Sequence, residues 1–340
     1  MKRLALPIVL AIGLLAQIAG AQTSSSTPVI GYYKFSVPNG KSIWNCAFVT
    51  KKDFQGAAST VTGGANTVID QTNAGWTVNQ FQTSATPATS SSHYIEILSG
   101  PQAGTIADIV SNAAASVTVE GNLGNASFTY CIRKHTTLGS IFKTAGLGEF
   151  EDEIMLFNDA GQSSRYQFDG TPSAEHIVDA IDQVTIKDDV VVYPGQAFVL
   201  TIGAPKTLTF GGNEVSYVKT GATNIPLYGG VTNLVGLMDP LVASAPLTAV
   251  AGNEGHTLGT VGLIESGLAP FEDEIATFGI SGGSFTRTGL YYFDDSNVPG
   301  DIVDSVTNAN KNSVVVPNGT GFLVKPVGSR VYKQPQFQNP

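Results

Sequence analysis

Two acidic triplets, Glu151-Asp152-Glu153 and Glu272-Asp273-Glu274, put three carboxylates in a row twice in this sequence. Such words could hold a cation or exchange a proton. In an extended strand, however, successive side chains alternate between faces, so residues 151 and 153 point one way and 152 the other. The triplets therefore read as solvent-facing strand starts whose charge discourages edge pairing. Calcium would need six or more oxygens. The calcium candidates are Asp294, Asp295, Asn297 and Asp301, with Asp169 and Asp179 in the corresponding stretch upstream, although neither group follows the Asp-x-Asp-x-Asp-Gly order. Gly279-Ile280-Ser281-Gly282-Gly283 matches the nucleophile-elbow pattern, which requires a strand before the serine and a helix after it. Strand-forming residues flank it on both sides, which predicts a hairpin tip.

His135 and His256 each stand just before a Thr-Leu-Gly word, and an identical place in two copies favours a turn-stabilising hydrogen bond over catalysis. His93 and His176 have no partner at metal-ligand spacing. No catalytic residue and no cofactor is assigned. The aromatics Trp44, Trp76, Tyr32, Tyr33, Tyr291 and Tyr292 read first as strand packing. Trp76 and Tyr94 are the expected ligand platform if a sugar binds.

The elements that position these groups come in two copies. His135-Thr136-Thr137-Leu138-Gly139 answers His256-Thr257-Leu258-Gly259, and Phe150 to Ile154 answers Phe271 to Ile275. Phe168-Asp169, Ile177-Val178-Asp179 and Val190-Val191-Val192 answer Phe293-Asp294, Ile302-Val303-Asp304 and Val314-Val315-Val316. A repeat of this length indicates one structural unit used twice. Apolar and β-branched bursts between Gly, Asn, Asp and Pro predict an all-β chain of two homologous sandwich-like or barrel-like units. Gly31 to Lys34 resembles Val215 to Lys219, which carries the repeat upstream. The expected organisation is a signal peptide at 1–21, a first unit at 28–212, a second at 213–330 and a tail at 331–340. Residues 49–132 form an insert whose many short strands predict a small closed barrel.

Lys2-Arg3, the apolar run Leu4 to Ile18 and the small residues Ala19-Gly20-Ala21 have the pattern of an export signal. No later stretch has the length of a membrane span. The net charge of −9 and the scattered Lys and Arg argue against nucleic acid as a partner, since a phosphate backbone needs clustered cations. Cys46 and Cys131 are expected to pair in an oxidising compartment and clip the neck of the insert, worth about 4.6 kcal/mol on chain entropy.

Pro28-Val29-Ile30-Gly31-Tyr32, Trp76 to Phe81, Tyr94 to Pro101, His135 to Gly139 and Tyr193-Pro194-Gly195-Gln196-Ala197-Phe198 together resemble an uncharacterised family of exported verrucomicrobial proteins. The resemblance implies export and no particular activity. It also implies a C-terminal sorting tail, which Gln334 to Pro340 does not provide. The expected function is that of a secreted, non-enzymatic structural, envelope or matrix protein that self-associates or adheres. Its partners would be copies of itself, other envelope components or glycans. A carbohydrate-binding module is the alternative, and a hydrolase the third.

Overall fold

A computed structural model of the chain describes residues 31–46, 48–58, 60–62, 66–70, 75–82, 92–124, 127–171, 175–212, 214–215, 223–237, 256–281, 284–296, 300–316 and 321–334. The expected signal peptide and Asn297 lie outside them. The chain begins with β1 (Gly31–Val37) and β2 (Gly40–Asn45). It then enters the insert through β3 (Phe48–Val49), β4 (Lys52–Ala57), β5 (Thr60–Thr62), β6 (Thr67–Ile69), β7 (His93–Ile97), β8 (Ile106–Ala113), β9 (Ser116–Val119) and β10 (Thr129–Lys134). After β11 (Thr136–Thr137) and a one-turn helix α1 (Leu138–Phe142) come β12 (Glu153–Phe157), β13 (Ser163–Asp169), β14 (His176–Asp179), β15 (Val191–Val192), β16 (Ala197–Ile202) and β17 (Lys206–Gly212). Next are β18 (Glu214–Val215), β19 (Thr223–Leu227), β20 (Asn233–Gly236), β21 (Glu274–Ser281), β22 (Ser284–Asp294), β23 (Asp301–Asp304), β24 (Gly321–Lys325) and β25 (Arg330–Gln334).

The chain is all-β, and each of two lobes holds a five-stranded sheet with a two-stranded ribbon beside it. The first lobe has a five-stranded antiparallel sheet ordered β2-β16-β12-β13-β14, covered by the ribbon β1-β17. The second has β20-β24-β21-β22-β23, covered by β19-β25. By this pairing β19 holds in the second ribbon the place that β1 holds in the first; of the expected match at 215–219, residues 216–219 lie outside the described residues. Val215 lies in β18, paired with Phe48 of β3. Residues 331–334, expected in a tail, complete the second ribbon.

Strand alternation explains the layering. In β12, Ile154 and Leu156 face the core beneath the β1-β17 ribbon, joined there by Phe198 and Leu200 of β16, Phe210 and Phe142. Met155, Phe157, Ala197 and Val199 point to the opposite face, where they meet Leu234, Phe278 and Leu323 of the second sheet. The two sheets thus pack face to face through their outer sides. Burying each fully covered Leu, Ile or Phe contributes about 1.5–3 kcal/mol.

The repeated words fall on equivalent bonds. Leu138 and Leu258 donate N–H groups to Val190 and Val314, both at 2.9 Å. Gly139 and Gly259 donate to the carbonyls of Asp188 and Asn312, both at 3.0 Å. Phe150 and Phe271 both adopt left-handed backbone, at φ 52° and 57°, and each donates its N–H across the sheet at 2.9 Å.

The acidic triplets are corrected in one respect. They split their carboxylates as alternation predicts, but Asp152 and Asp273 are fully buried rather than solvent-facing. Asp152 accepts from the N–H groups of Gly148 at 2.6 Å and Gly203 at 3.0 Å and pairs with Lys206. Asp273 accepts from Ala269 at 2.7 Å and Val327 at 2.8 Å and pairs with Arg330 at 3.4 Å. Each carboxylate ties the turn before its strand to the turn before the last ribbon strand.

The insert is a seven-stranded sheet, β4-β10-β7-β8-β9-β6-β5, and no barrel closes. Ile106–Asp108 of β8 pair with β7 while Ile109–Ala113 pair with β9, across a register break at Ile109/Ser111. That break bends the sheet around Val68, Ile95, Ile97, Ile109, Val117, Tyr130 and Ile132. The chain passes directly from one edge strand, β4, to the other, β5, yet no ladder joins them among the described residues. The edge strand β5 is only three residues long, and β4 opens with exposed Lys52 and Asp53, whose charge blunts an edge.

Candidate functional site: an acidic tyrosine patch where three modules meet

Asp108 stands in β8 of the insert at the bend, and the backbone places Glu120 beside it, since Glu120 N–H donates to the Asp108 carbonyl at 2.8 Å. The first lobe brings Tyr193, which opens the Tyr193-Pro194-Gly195-Gln196 turn. The Gln196 side chain accepts from Tyr193 N–H at 3.1 Å and donates to the Phe157 carbonyl at 3.0 Å, which fixes the turn from within. Gly195 has φ 81°, and a Cβ there would come within 2.1 Å of Ile225 Cδ1, so only glycine allows the second lobe to approach so closely. Gly236 N–H then donates to the Gly195 carbonyl at 2.8 Å.

The second lobe is also tied to the insert. Asn224 N–H donates to the Gly104 carbonyl at 3.0 Å, and its side-chain amide donates to the Ala103 carbonyl and Thr105 Oγ1, both at 3.2 Å. Four residues on, Tyr228 leaves β19 at the same junction, its N–H donating to Asn233 Oδ1 at 2.8 Å. Asp159 sits on the β12–β13 turn, which Asn158 shapes by accepting from Ala160 and Gln162. Gly161 of that turn lies against Val231 of the second lobe.

Tyr193 and Tyr228 are 41% and 42% exposed, and Glu120 and Asp159 are exposed with them. The Tyr193 hydroxyl donates to Asp108 Oδ2 at 2.7 Å. Burial, and next the Asp108 charge, push the Tyr193 phenol well up, with Tyr228 and Glu120 adding to the effect. Burial also raises Tyr228, and Asp159, Glu120 and Asp108 raise it further. Both phenols stay protonated; the Tyr193 proton goes to Asp108, and Tyr228 can donate. Beneath them His135, its side chain 2% exposed, lies edge-on to Tyr193 with centroids 5.4 Å apart and tilted against Tyr94 at 5.1 Å. Its Nε2 is 3.2 Å from Asp108 Oδ1, but off the line a hydrogen bond requires, and neither ring nitrogen is hydrogen-bonded. His135 is therefore held by aromatic packing, with its Nε2 towards Asp108, whereas the half-buried His256 contributes its carbonyl to Val316 N–H at 2.6 Å.

Other expected site residues lie elsewhere. Tyr94 is 2% exposed beneath His135, and Trp76 is half-buried in the insert core, edge-on to Phe54 at 5.0 Å and Phe81 at 5.4 Å. Asp301 Oδ1 is occupied by the amides of Asn310 and Asn312, both at 2.7 Å, while Asp294 accepts from Ser296 N–H at 2.9 Å. Asp295 is exposed. Among the described residues no three His, Cys, Asp or Glu side chains are grouped to hold a metal ion. Ser281 ends β21 opposite Ser284 of β22, a hairpin tip.

The expected disulfide is absent: Cys46 and Cys131 are not bonded. Cys46 belongs to the first-lobe core, whereas the Cys131 thiol points to buried Glu96 and donates to its Oε2 at 3.6 Å. Arg133 Nε holds the same oxygen at 2.9 Å and its Nη1 reaches the Thr50 carbonyl. Arg133, held by this ion pair, bridges the insert's neck through Thr50, and no covalent clip is formed.

Ser92 Oγ lies 2.7 Å from His93 Nδ1, with Asp53 Oδ2 3.2 Å from Nε2. The order resembles a nucleophile relay, but the Ser92 hydroxyl donates to the Phe81 carbonyl at 3.0 Å, so its proton is directed away from the imidazole. Among the described residues the side chains named in the junction patch likewise include no serine, cysteine or lysine. It offers two protonated phenols with partly open rings and three carboxylates, a set suited to binding. Sequence reasoning missed it because its members span positions 108 to 228 on three modules. Tyr193-Pro194-Gly195 was visible only as a turn. Comparison with protein-family models, curated proteins and solved structures finds no match to this chain.

Proposed function

We propose that the chain is an exported, non-enzymatic adhesive component of a cell envelope or matrix, built from one β unit used twice, and that it binds glycan through the Tyr193–Tyr228 patch. One observation supports this above others: two half-exposed tyrosines from different lobes converge on carboxylates supplied by the insert and by the β12–β13 turn. Tyrosine rings offer an apolar face to a sugar ring's C–H groups and a hydroxyl to its oxygens, and carboxylates accept from sugar hydroxyls. The mature chain should be retained on immobilised envelope polysaccharide or on a glycan array. Tyr193→Ala with Tyr228→Ala should abolish retention with the circular dichroism spectrum unaltered. Undiminished retention by that double variant would remove the patch from the account.

Self-association is a second reading with its own observation. The loop after β14 presents Ile181, Val184 and Ile186 at 82%, 78% and 52% exposure. Asp179 and Asp182 hold it by accepting backbone N–H groups. Sedimentation equilibrium should show concentration-dependent association that Ile181→Asp weakens; a monomer at all concentrations would dismiss this reading.

A further inference from the structure

We infer that the glycan recognised at the junction is an amino sugar carrying a free ammonium group. The inference rests on the glycan reading above and specifies its chemistry. Asp108, Glu120 and Asp159 come from three separate segments and converge on the two tyrosine rings. Among the described residues no lysine or arginine pairs with any of them, and the one basic group near them is His135, against Asp108. Elsewhere the same fold gives its inner carboxylates a cation: Asp152 has Lys206, Asp273 has Arg330, Glu96 has Arg133 and Asp188 has Lys143. Asp108, the partly buried one of the three, differs from these in having an imidazole rather than a lysine or arginine beside it, and Glu120 and Asp159 stand exposed next to it.

A second feature points the same way. His135 is buried with neither ring nitrogen hydrogen-bonded, and it packs directly beneath Tyr193 against Asp108. An interior histidine left in that condition beside a carboxylate contributes little to fold stability through bonding. Its position keeps Asp108 and Tyr193 in place at the surface. A neutral sugar would use the phenols, the rings and hydroxyl bonds to the carboxylates, but would leave their three like charges unopposed. An ammonium group would satisfy the carboxylates directly and be attracted to the tyrosine faces. A sugar that carries the ammonium on its ring meets both requirements together, whereas a lysine side chain would use the charge without the ring faces.

Calorimetric titration of the full mature chain tests this with three probes: chitosan oligosaccharide, the fully N-acetylated oligosaccharide of equal length, and a lysine-rich peptide of equal charge. The expected result is at least tenfold tighter binding of the free-amine oligosaccharide than of the other two, weakening as salt rises. Glu120→Gln and Asp159→Asn, both exposed, should each weaken binding about two- to fivefold and narrow the gap to the acetylated sugar. Equal binding of the two oligosaccharides overturns the inference and leaves the glycan reading standing. Binding of neither overturns both. Peptide binding as tight as the free-amine sugar shows charge recognition without the ring and overturns the amino-sugar assignment. Because the salt and acetylation comparisons use the unaltered protein, a variant that fails to fold does not weaken the test.

Discussion

In the first lobe Asp188 accepts from Ile177 N–H at 2.8 Å, pairs with His176 at 2.6 Å and holds Lys143 at 2.6 Å. In the second lobe the equivalent position is Asn312, which accepts from Ile302 N–H at 2.7 Å and donates to Asp301 Oδ1. The bond that closes the turn onto the strand is the same in both lobes, while the negative charge has moved from the turn to the strand and the lysine has no counterpart. The lobes thus share geometry where the backbone needs a partner and differ where only the source of charge is at stake. What both lobes keep, such as the Asp152 and Asp273 clamps, is scaffold. What only one has, such as the insert and the His135 environment, is where a specific activity can reside.

The clamps give the largest expected effect. Asp152→Ala leaves Lys206 and two backbone donors without their acceptor and should cost about 3–5 kcal/mol in urea unfolding. Asp273→Ala should cost less, because Arg330 is 3.4 Å away and 30% exposed. Glu151→Ala, on the exposed side of the same triplet, should stay within about 0.5 kcal/mol. Equal losses from Asp152 and Glu151 would end the distinction between clamp and surface.

The exchanged turn comes next. Partial burial opposes ionisation of Asp188, but Lys143, Ile177 N–H and His176 outweigh it and hold the carboxyl below its ordinary value. A carboxyl depressed in the folded state contributes stability that is fully present above its unfolded pKa of about 3.9 and is lost as pH falls through the folded value. Asp188→Asn should therefore cost about 1–2 kcal/mol at neutral pH and flatten the acid limb of the stability profile. Asn312→Asp should destabilise at neutral pH through repulsion with Asp301 and recover on acidification. An unchanged acid limb in Asp188→Asn would show that the lobes do not differ electrostatically there.

Smaller effects follow. Thr137 caps α1, accepting from Ser140 N–H at 3.3 Å while its own N–H donates to Ser140 Oγ at 2.8 Å. Thr137→Ala should cost about 1 kcal/mol. Thr257→Ala should cost less, because among the described residues no α-helix follows it for its hydroxyl to cap. The smallest change is expected from reduction. Burial, and then the Glu96 charge, push the Cys131 thiol up to about 12, so iodoacetamide at pH 8 should label it only after denaturation. Reductant should leave the melting temperature unmoved.

Much of the scaffold was legible in the sequence because strand periodicity and turn chemistry are local. The hairpin from Glu153 to Asp169 follows from alternation and from Asn158 and Gly161, whereas Val191–Val192 and Ala197–Ile202 do not form the hairpin that Pro194-Gly195 suggests, since β15 pairs with β11 and β16 with β12 and β2. Barrel closure was not legible, since it depends on whether β4 and β5, adjacent in the chain, also align as a ladder. The cysteine pairing failed because Cys46 lies in the first-lobe core while Cys131 faces the buried Glu96. The burial of Asp152 and Asp273 depended on donors from Gly148, Gly203, Ala269 and Val327, which no strand pattern reveals. The junction patch was invisible because only folding brings Asp108, Asp159, Tyr193 and Tyr228 together.

The central claim is that binding occurs where the modules meet and not on the repeated loops. Hydrogen exchange of the mature chain with and without saturating chitosan oligosaccharide tests it most directly. Protection should rise at residues 104–120, 190–197 and 223–233 and stay level at 179–187 and 304–311. Protection confined to those two loops, or to the segment around Trp76, would contradict it.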